Sequence, residues 1–217
     1  MKIGLFLALD QEYEAVQALF AGRCEGKIAG NDIFLVHTGI GKVNAAVNAA
    51  LLIKENRPDC IVSGGCAGAL QPGVDVLDLA VASEVVYHDA WCGGAWGQVQ
   101  GLPERYAADE ALLAAARSLS KDPSLKVHEG LMCSGDRFVD HSDAPAILGH
   151  FPEALAVDME SGALAQTCHL FGTPFISLRV ISDNVSSDAS HYDQYLNFWD
   201  TVGKTSFEVI RKYLYTL

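Results

Sequence analysis

The chain has 217 residues, half of them hydrophobic, and its 27 acidic against 15 basic residues leave a formal net charge of −12. Such a composition buries a sizeable core in one domain over 1–217 and excludes a disordered chain. The acidic balance excludes an electrostatic grip on nucleic acid or an anionic membrane, and no apolar run reaches the length of a membrane span.

The first apolar run predicts a strand over 2–9, and helical spacing follows over 11–20. The opening MKIGLFLALDQE meets Asp10, Gln11 and Glu12 before the apolar core of an export signal is complete. A strand over 33–38 leads into a helix over 42–54, and strands over 60–64 and 77–87 come next. A long excursion over 89–105, rich in Gly and Gln and carrying two Trp, precedes a helix over 109–119. Strands over 129–134 and 154–159, a helix over 161–171, a strand over 174–181 and a helix over 195–217 complete the chain. Apolar runs alternating with Ala- and Leu-rich segments are the pattern of an α/β protein. Several strands run into Gly, Ser or Asp before a helix, and that carboxyl edge is where α/β sheets bind ligands. The six cysteines, Cys24, Cys60, Cys66, Cys92, Cys133 and Cys168, form no Cys-x-x-Cys pair. Reduced thiols in a cytoplasmic protein, with no zinc site, are expected.

Common motifs fail on inspection. Gly39-Ile40-Gly41-Lys42-Val43-Asn44 starts as a dinucleotide fingerprint, but Asn44 stands where the third glycine belongs. Lys42 is followed by Val43 and preceded at the first glycine's place by Val36, so it is no phosphate loop. No cofactor is signalled. What remains is a set of acids at strand ends. In AVDMESGA, Asp158 and Glu160 face the same way if the strand persists through Met159 and diverge if the helix has begun. Taken singly each acid has a bland reading: Glu160 with Ser161 as a helix cap, Asp183 as a turn residue, Glu12 as a solvated acid on a first helical turn.

Taken together, MKIGLFLALDQE, TGIGKVNAA, SGGCAGAL, YHDA, SGDRF, AVDMESGALA and RVISD, in this order, resemble the 5′-methylthioadenosine/S-adenosylhomocysteine nucleosidases of the nucleoside phosphorylase superfamily. The resemblance runs from Met1 to about Leu217. It implies one three-layer α/β domain with a central mixed, partly barrel-like sheet flanked by helices. It also implies that Asp183 donates a proton to N7 of adenine with Ser182 nearby, and that Glu12 orients and deprotonates the attacking water. Met159 and Glu160 would hold the ribose and Phe138 would stack on the base. Ala8, Leu9, Ile40, Ala67 and Gly68 would line the pocket, and Tyr192 would match an aromatic lid residue. The partner implied is a small purine nucleoside, with neither nucleic acid, membrane, metal nor cofactor. A homodimer is implied too, in which the 90–103 loop, with Leu102 and Pro103, reaches the neighbouring site.

The chemistry asks for these residue types independently. Breaking an N-glycosidic bond leaves an adenine anion and an oxocarbenium-like sugar, so an acid must serve the base and a carboxylate the water. The acid has to keep its proton near neutral pH. Two departures from the family stand out. Cys66 replaces a serine, and reads either as a pocket residue or as a small buried one; the 90–103 loop differs at the end where the 5′ substituent is chosen. Phosphorolysis is the competing reaction, but Arg23 is the only early arginine and Glu12 would repel phosphate. A non-catalytic nucleoside binder would need no general acid. Nucleosidases of other 5′ preference, acting on 5′-deoxyadenosine or an aminodeoxyfutalosine-type nucleoside, fit the same constellation.

Overall fold

The computed structural model describes residues 1–185, 191–201 and 207–217. Its strands are β1 (Lys2–Leu7), β2 (Glu25–Ile28), β3 (Asn31–His37), β4 (Cys60–Ala69), β5 (Leu79–Tyr87), β6 (Tyr106–Ala107), β7 (Val127–Ser134), β8 (Ala154–Asp158) and β9 (Phe175–Asn184). Its α-helices are α1 (Asp10–Gln17), α2 (Lys42–Asn56), α3 (Glu110–Arg117), α4 (Ala144–His150), α5 (Ser161–Phe171), α6 (His191–Thr201) and α7 (Glu208–Leu214). No helix of the described residues is long and apolar enough to cross a membrane.

The strands form one mixed sheet in the order β2-β3-β1-β4-β8-β7-β5-β6, and β9 pairs with both β4 and β5. That double pairing closes β4, β8, β7, β5 and β9 into a five-stranded ring, with β1, β3 and β2 as a wing and β6 at an edge. Strand periodicity then sorts the core. Ile3, Leu5 and Leu7 of β1 and Ile176, Leu178 and Val180 of β9 pack towards α1, α3, α6 and α7. Phe6 of β1 with Phe175 and Ile181 of β9 faces the opposite way, against α2 and α5. Strands buried on both faces are mainly apolar, as β1 is over Ile3 to Leu7, whereas the equally buried β9 carries Ser177, Arg179, Ser182 and Asp183 among its apolar residues. A smaller cluster under α4 joins Leu131, Ile147, Phe151 and Val157.

Several boundaries differ from the sequence expectation. Helix 11–20 is α1 followed by a 3-10 turn at Ala18–Phe20, and helix 109–119 likewise ends in a 3-10 turn, Ser118–Lys121. The expected helix over 195–217 is represented by α6 and α7, and 202–206 lie outside the described residues. β4 and β9 run five and three residues beyond their predicted ends at 64 and 181, and β8 stops one short, at Asp158. β2, β6 and α4 were not foreseen. The first two are short edge pieces, and α4 has Pro145 in its first turn and Gly149 in its last.

The topology opens a gap beside β4. Its first residues pair with β1 as far as Ser63, and Gly68 and Ala69 pair on the same side with the antiparallel β8. The carboxyl ends of β1 and β8 therefore converge on Gly64 to Ala67 from opposite directions.

Candidate active site

A cavity fills that gap, and Glu12 lies on its β1 side. At the third position of α1 its carboxylate turns back over the strand end: Oε2 accepts from the N–H groups of Ala8 (3.0 Å) and Leu9 (3.1 Å), and Oε1 accepts from the N–H of Cys66 (2.8 Å). Glu12 is only 2% exposed, so the solvated reading does not hold. Three converging backbone donors fix a carboxylate in one orientation.

β9 brings the second acid. Ala67 pairs with Ile181 but Gly68 pairs with Asp183, so Ser182 is an extra residue in a β-bulge. The Ser182 hydroxyl donates to Asp183 Oδ1 at 2.7 Å, and Asp183 is buried in the strand rather than set in a turn beyond it. A Cβ on Gly68 would stand 3.1 Å from Asp183 Oδ2, so the glycine leaves room for the carboxylate to pass β4.

At the end of β8 the two acids of AVDMESGA diverge in backbone and meet again at one cation. Asp158 closes the strand, where it accepts from the Ser161 N–H at 3.3 Å and from the Ser161 hydroxyl. Asp158 thus serves the start of α5, a place the sequence offered to Glu160; Glu160 is the N-cap residue but its side chain makes no cap bond. Glu160 Oε1 instead accepts from the Gly41 N–H at 3.0 Å. Arg179 Nη2 lies 2.7 Å from Asp158 and 3.7 Å from Glu160, and the guanidinium also donates to Gly64 O (2.9 Å) and Ser63 Oγ (2.8 Å). Arg179 is 1% exposed. Burial works against its charge, yet Asp158 and Glu160 raise its pKa above the ordinary value. Burial pushes the Glu160 carboxyl up to about 7, with Arg179 opposing the rise and Asp158 adding to it.

Gly65 joins these groups. Its φ is +148°, and a Cβ there would collide with Arg179 Nη1 and stand 2.9 Å from Glu12 Oε1. The adjacent Cys66 lines the cavity rather than being fully buried; desolvation and the neighbouring Glu12 hold its thiol well above the ordinary value, hence protonated.

Of the residues singled out in the sequence, Ala8, Leu9 and Glu12 reach the cavity from the β1–α1 turn, Ile40 from the turn before α2, and Cys66, Ala67 and Gly68 from β4. Phe138 follows β7, Met159 and Glu160 follow β8, and Ser182 and Asp183 come from β9. Tyr192 does not line it; the ring stands 6.3 Å from Phe138, edge on, and is mostly exposed. Tyr195, one turn along α6, takes the lining place and lies 5.4 Å from Phe138. Leu102 and Pro103 are half-buried in their own loop and do not reach this chain's cavity. Asp89 anchors its loop through Lys42, while His88 is buried beside it with its pKa lowered chiefly by burial.

Arg179 and Tyr195 escaped the sequence reading. The signal for Arg179 was present: a lone arginine inside FISLRVISD must be buried, and a buried cation needs carboxylate partners. Tyr195 offered no such signal.

The chain matches the phosphorylase superfamily over residues 3–215. It is similar to the 5′-methylthioadenosine/S-adenosylhomocysteine nucleosidase of Neisseria meningitidis in complex with methylthio-immucillin-A, at 37% identity and a TM-score of 0.92, covering 100% of this chain and 99% of that one. The corresponding nucleosidase of S. pneumoniae, with a transition-state inhibitor, is 31% identical with a TM-score of 0.89, covering 100% and 99%. The S-adenosylhomocysteine nucleosidase of Streptococcus pyogenes, in complex with 5-methylthiotubericidin, is 30% identical with a TM-score of 0.90, covering 100% and 97%. A superfamily match over nearly the whole chain and full-length relatives above 30% identity, on a cavity edged by Glu12, Glu160 and Asp183, place this chain among the 5′-methylthioadenosine/S-adenosylhomocysteine nucleosidases of the phosphorylase superfamily.

Proposed function

We infer that the chain hydrolyses the N-glycosidic bond of 5′-methylthioadenosine and S-adenosylhomocysteine, releasing adenine and the 5-substituted ribose. One observation carries the reading: a single cavity holds a carboxylate locked by three backbone N–H groups, Glu12, together with a buried acid on a bulged strand, Asp183. As the C1′–N9 bond breaks, its electron pair passes to the purine and Asp183 delivers a proton to N7. A water oxygen bonds to C1′ and gives its proton to Glu12. Ser182 orients the Asp183 carboxyl through their 2.7 Å hydrogen bond. Glu160, beside Met159, takes the ribose hydroxyls, and Phe138 and Tyr195 offer ring faces to the base. A positioned general acid contributes about 10² to 10⁴ in rate.

Phosphate suits this cavity poorly as the nucleophile. Glu12 occupies the nucleophile side, and the guanidinium of Arg179 is engaged by two carboxylates beneath Gly65. The reading carries a cytoplasmic homodimer. The exposed Val43, Val47 and Leu51, four residues apart on α2, supply an apolar face for a second copy. The 90–103 loop, with Leu102 and Pro103, would then border the partner's 5′ pocket.

The test is adenine release from 5′-methylthioadenosine with and without phosphate, following the sugar by mass. Free methylthioribose without phosphate is expected, and Asp183→Asn lowers kcat by about 10² or more. A phosphate requirement with a sugar 1-phosphate product would overturn the role of Glu12; undiminished turnover in Asp183→Asn would remove the acid.

A further inference from the structure

Two turns wall the cavity where sugar and base would lie, the glycine turn before α2 with Ile40 and the loop after β7 that carries Phe138, and the loop after β5 holds both from outside through Asp89. A charged cluster outside the cavity lining ties them. Lys42 Nζ donates to both oxygens of Asp89, at 2.9 and 2.8 Å, and the Lys42 backbone N–H donates to Asp136 Oδ1 at 2.7 Å. The Asp136 N–H donates to Asp89 Oδ2 at 2.9 Å. The ammonium also lies 3.9 Å from Asp136 Oδ2 and 5.2 Å from the centre of the Tyr87 ring. Two members of this cluster lead straight to the cavity. The residue before Lys42 is Gly41, whose N–H holds Glu160 Oε1 at 3.0 Å, and two residues after Asp136 comes Phe138.

The packing leaves little slack. Gly41 has φ +95°, and a Cβ on it would stand 3.0 Å from Asp136 Oδ1. The Lys42 and Asp89 side chains are 27% and 28% exposed, so their bidentate pair is screened less than a surface ion pair. Burial alone would raise the Asp89 carboxyl, but the hydrogen bonds from Lys42 and from the Asp136 N–H hold it below its ordinary value.

We propose that Lys42, Asp89 and Asp136 are positioning residues of the nucleosidase, which lock the two turns so that the Gly41 N–H stays on Glu160 and Phe138 stays at the base. The proposal rests on the nucleosidase reading above. None of the three lines the cavity, so their loss weakens ground-state and transition-state binding alike and appears in KM more than in kcat.

The test takes Lys42→Met, Asp89→Asn, the double variant and Lys42→Arg in the full chain, and follows adenine release from 5′-methylthioadenosine. Lys42→Met and Asp89→Asn are expected to raise KM about tenfold with kcat within about threefold and the melting temperature within a few degrees. The double variant is no worse than either single one, because the cluster acts as a unit. Lys42→Arg keeps the charge and the paired donors towards Asp89 and recovers most of the loss. A KM within about twofold of wild type in Lys42→Met overturns the proposal. So does a fall in kcat that tracks the melting temperature and is shared by Lys42→Arg, since that is the mark of a merely structural group. Calorimetric binding of adenine to the same proteins reads the positioning without turnover: about a tenfold weaker Kd supports it and an unchanged Kd overturns it. Wild-type protein that releases no adenine would sink the nucleosidase reading alone.

Discussion

Glu160 shows how closely charge and burial are balanced at single residues in this cavity. It is 7% exposed and shares Arg179 with Asp158, so its carboxyl is raised mainly by desolvation. The folded protein therefore holds a proton there that the unfolded chain releases at lower pH. A carboxyl raised in this way contributes stability that is complete below its unfolded value and is lost as pH climbs towards about 7. Glu160→Gln lacks that titration. Relative to wild type, its unfolding free energy is expected to gain about 2 kcal/mol between about pH 5 and pH 8, read by urea titration at each pH. A parallel pH dependence of the two proteins would remove the raised carboxyl. Arg179 completes the balance, because a guanidinium buried with two acids cannot be lost without leaving both uncompensated.

At the scale of elements, local signals account for most of the succession of strands and helices, and the departures have physical causes. The predicted end of β4 at Gly64 falls on paired glycines, a dipeptide common in turns. The strand continues because Arg179 and Glu12 fill the place of a Cβ at Gly65, and Val185 and Asp183 fill it at Gly68. The predicted end of β9 at Ile181 falls where Ser182 and Asp183 break the apolar run, and the bulge that carries them is visible only once β4 lies alongside. α3, by contrast, starts at a local cap, one residue inside the predicted helix. Asp109 Oδ1 accepts from the N–H groups of Ala111 (3.0 Å) and Leu112 (3.1 Å), well away from the cavity lining. Asp109→Ala should cost about 1 kcal/mol and lower the melting temperature by about 3 °C. The kcat/KM for adenine release should stay unchanged, and a loss of activity in step with stability would contradict that separation of cap and site.

Across the whole molecule, the ring and its β1 wing bring together residues as far apart in sequence as Glu12 and Asp183, while α2 leaves Val43, Val47 and Leu51 exposed. If that face meets a second copy, Val47→Glu puts a charge into an apolar contact and weakens the dimer by about 2 kcal/mol or more, roughly thirtyfold in Kd. Sedimentation at micromolar concentration then shifts from dimer to monomer, and a wild-type chain that sediments as a monomer would refute the homodimer. The α/β class, the order of most elements and the short motifs that resemble the nucleosidases follow from residue type and spacing, because periodicity, caps and turn residues act over a few neighbours. The closure of β9 onto both β4 and β5, the bulge at Ser182 and the guanidinium beneath Gly65 came only with the fold. Each depends on which distant strand lies alongside and how deeply a charge is buried between them, and contact and desolvation between remote segments leave no local periodicity to read.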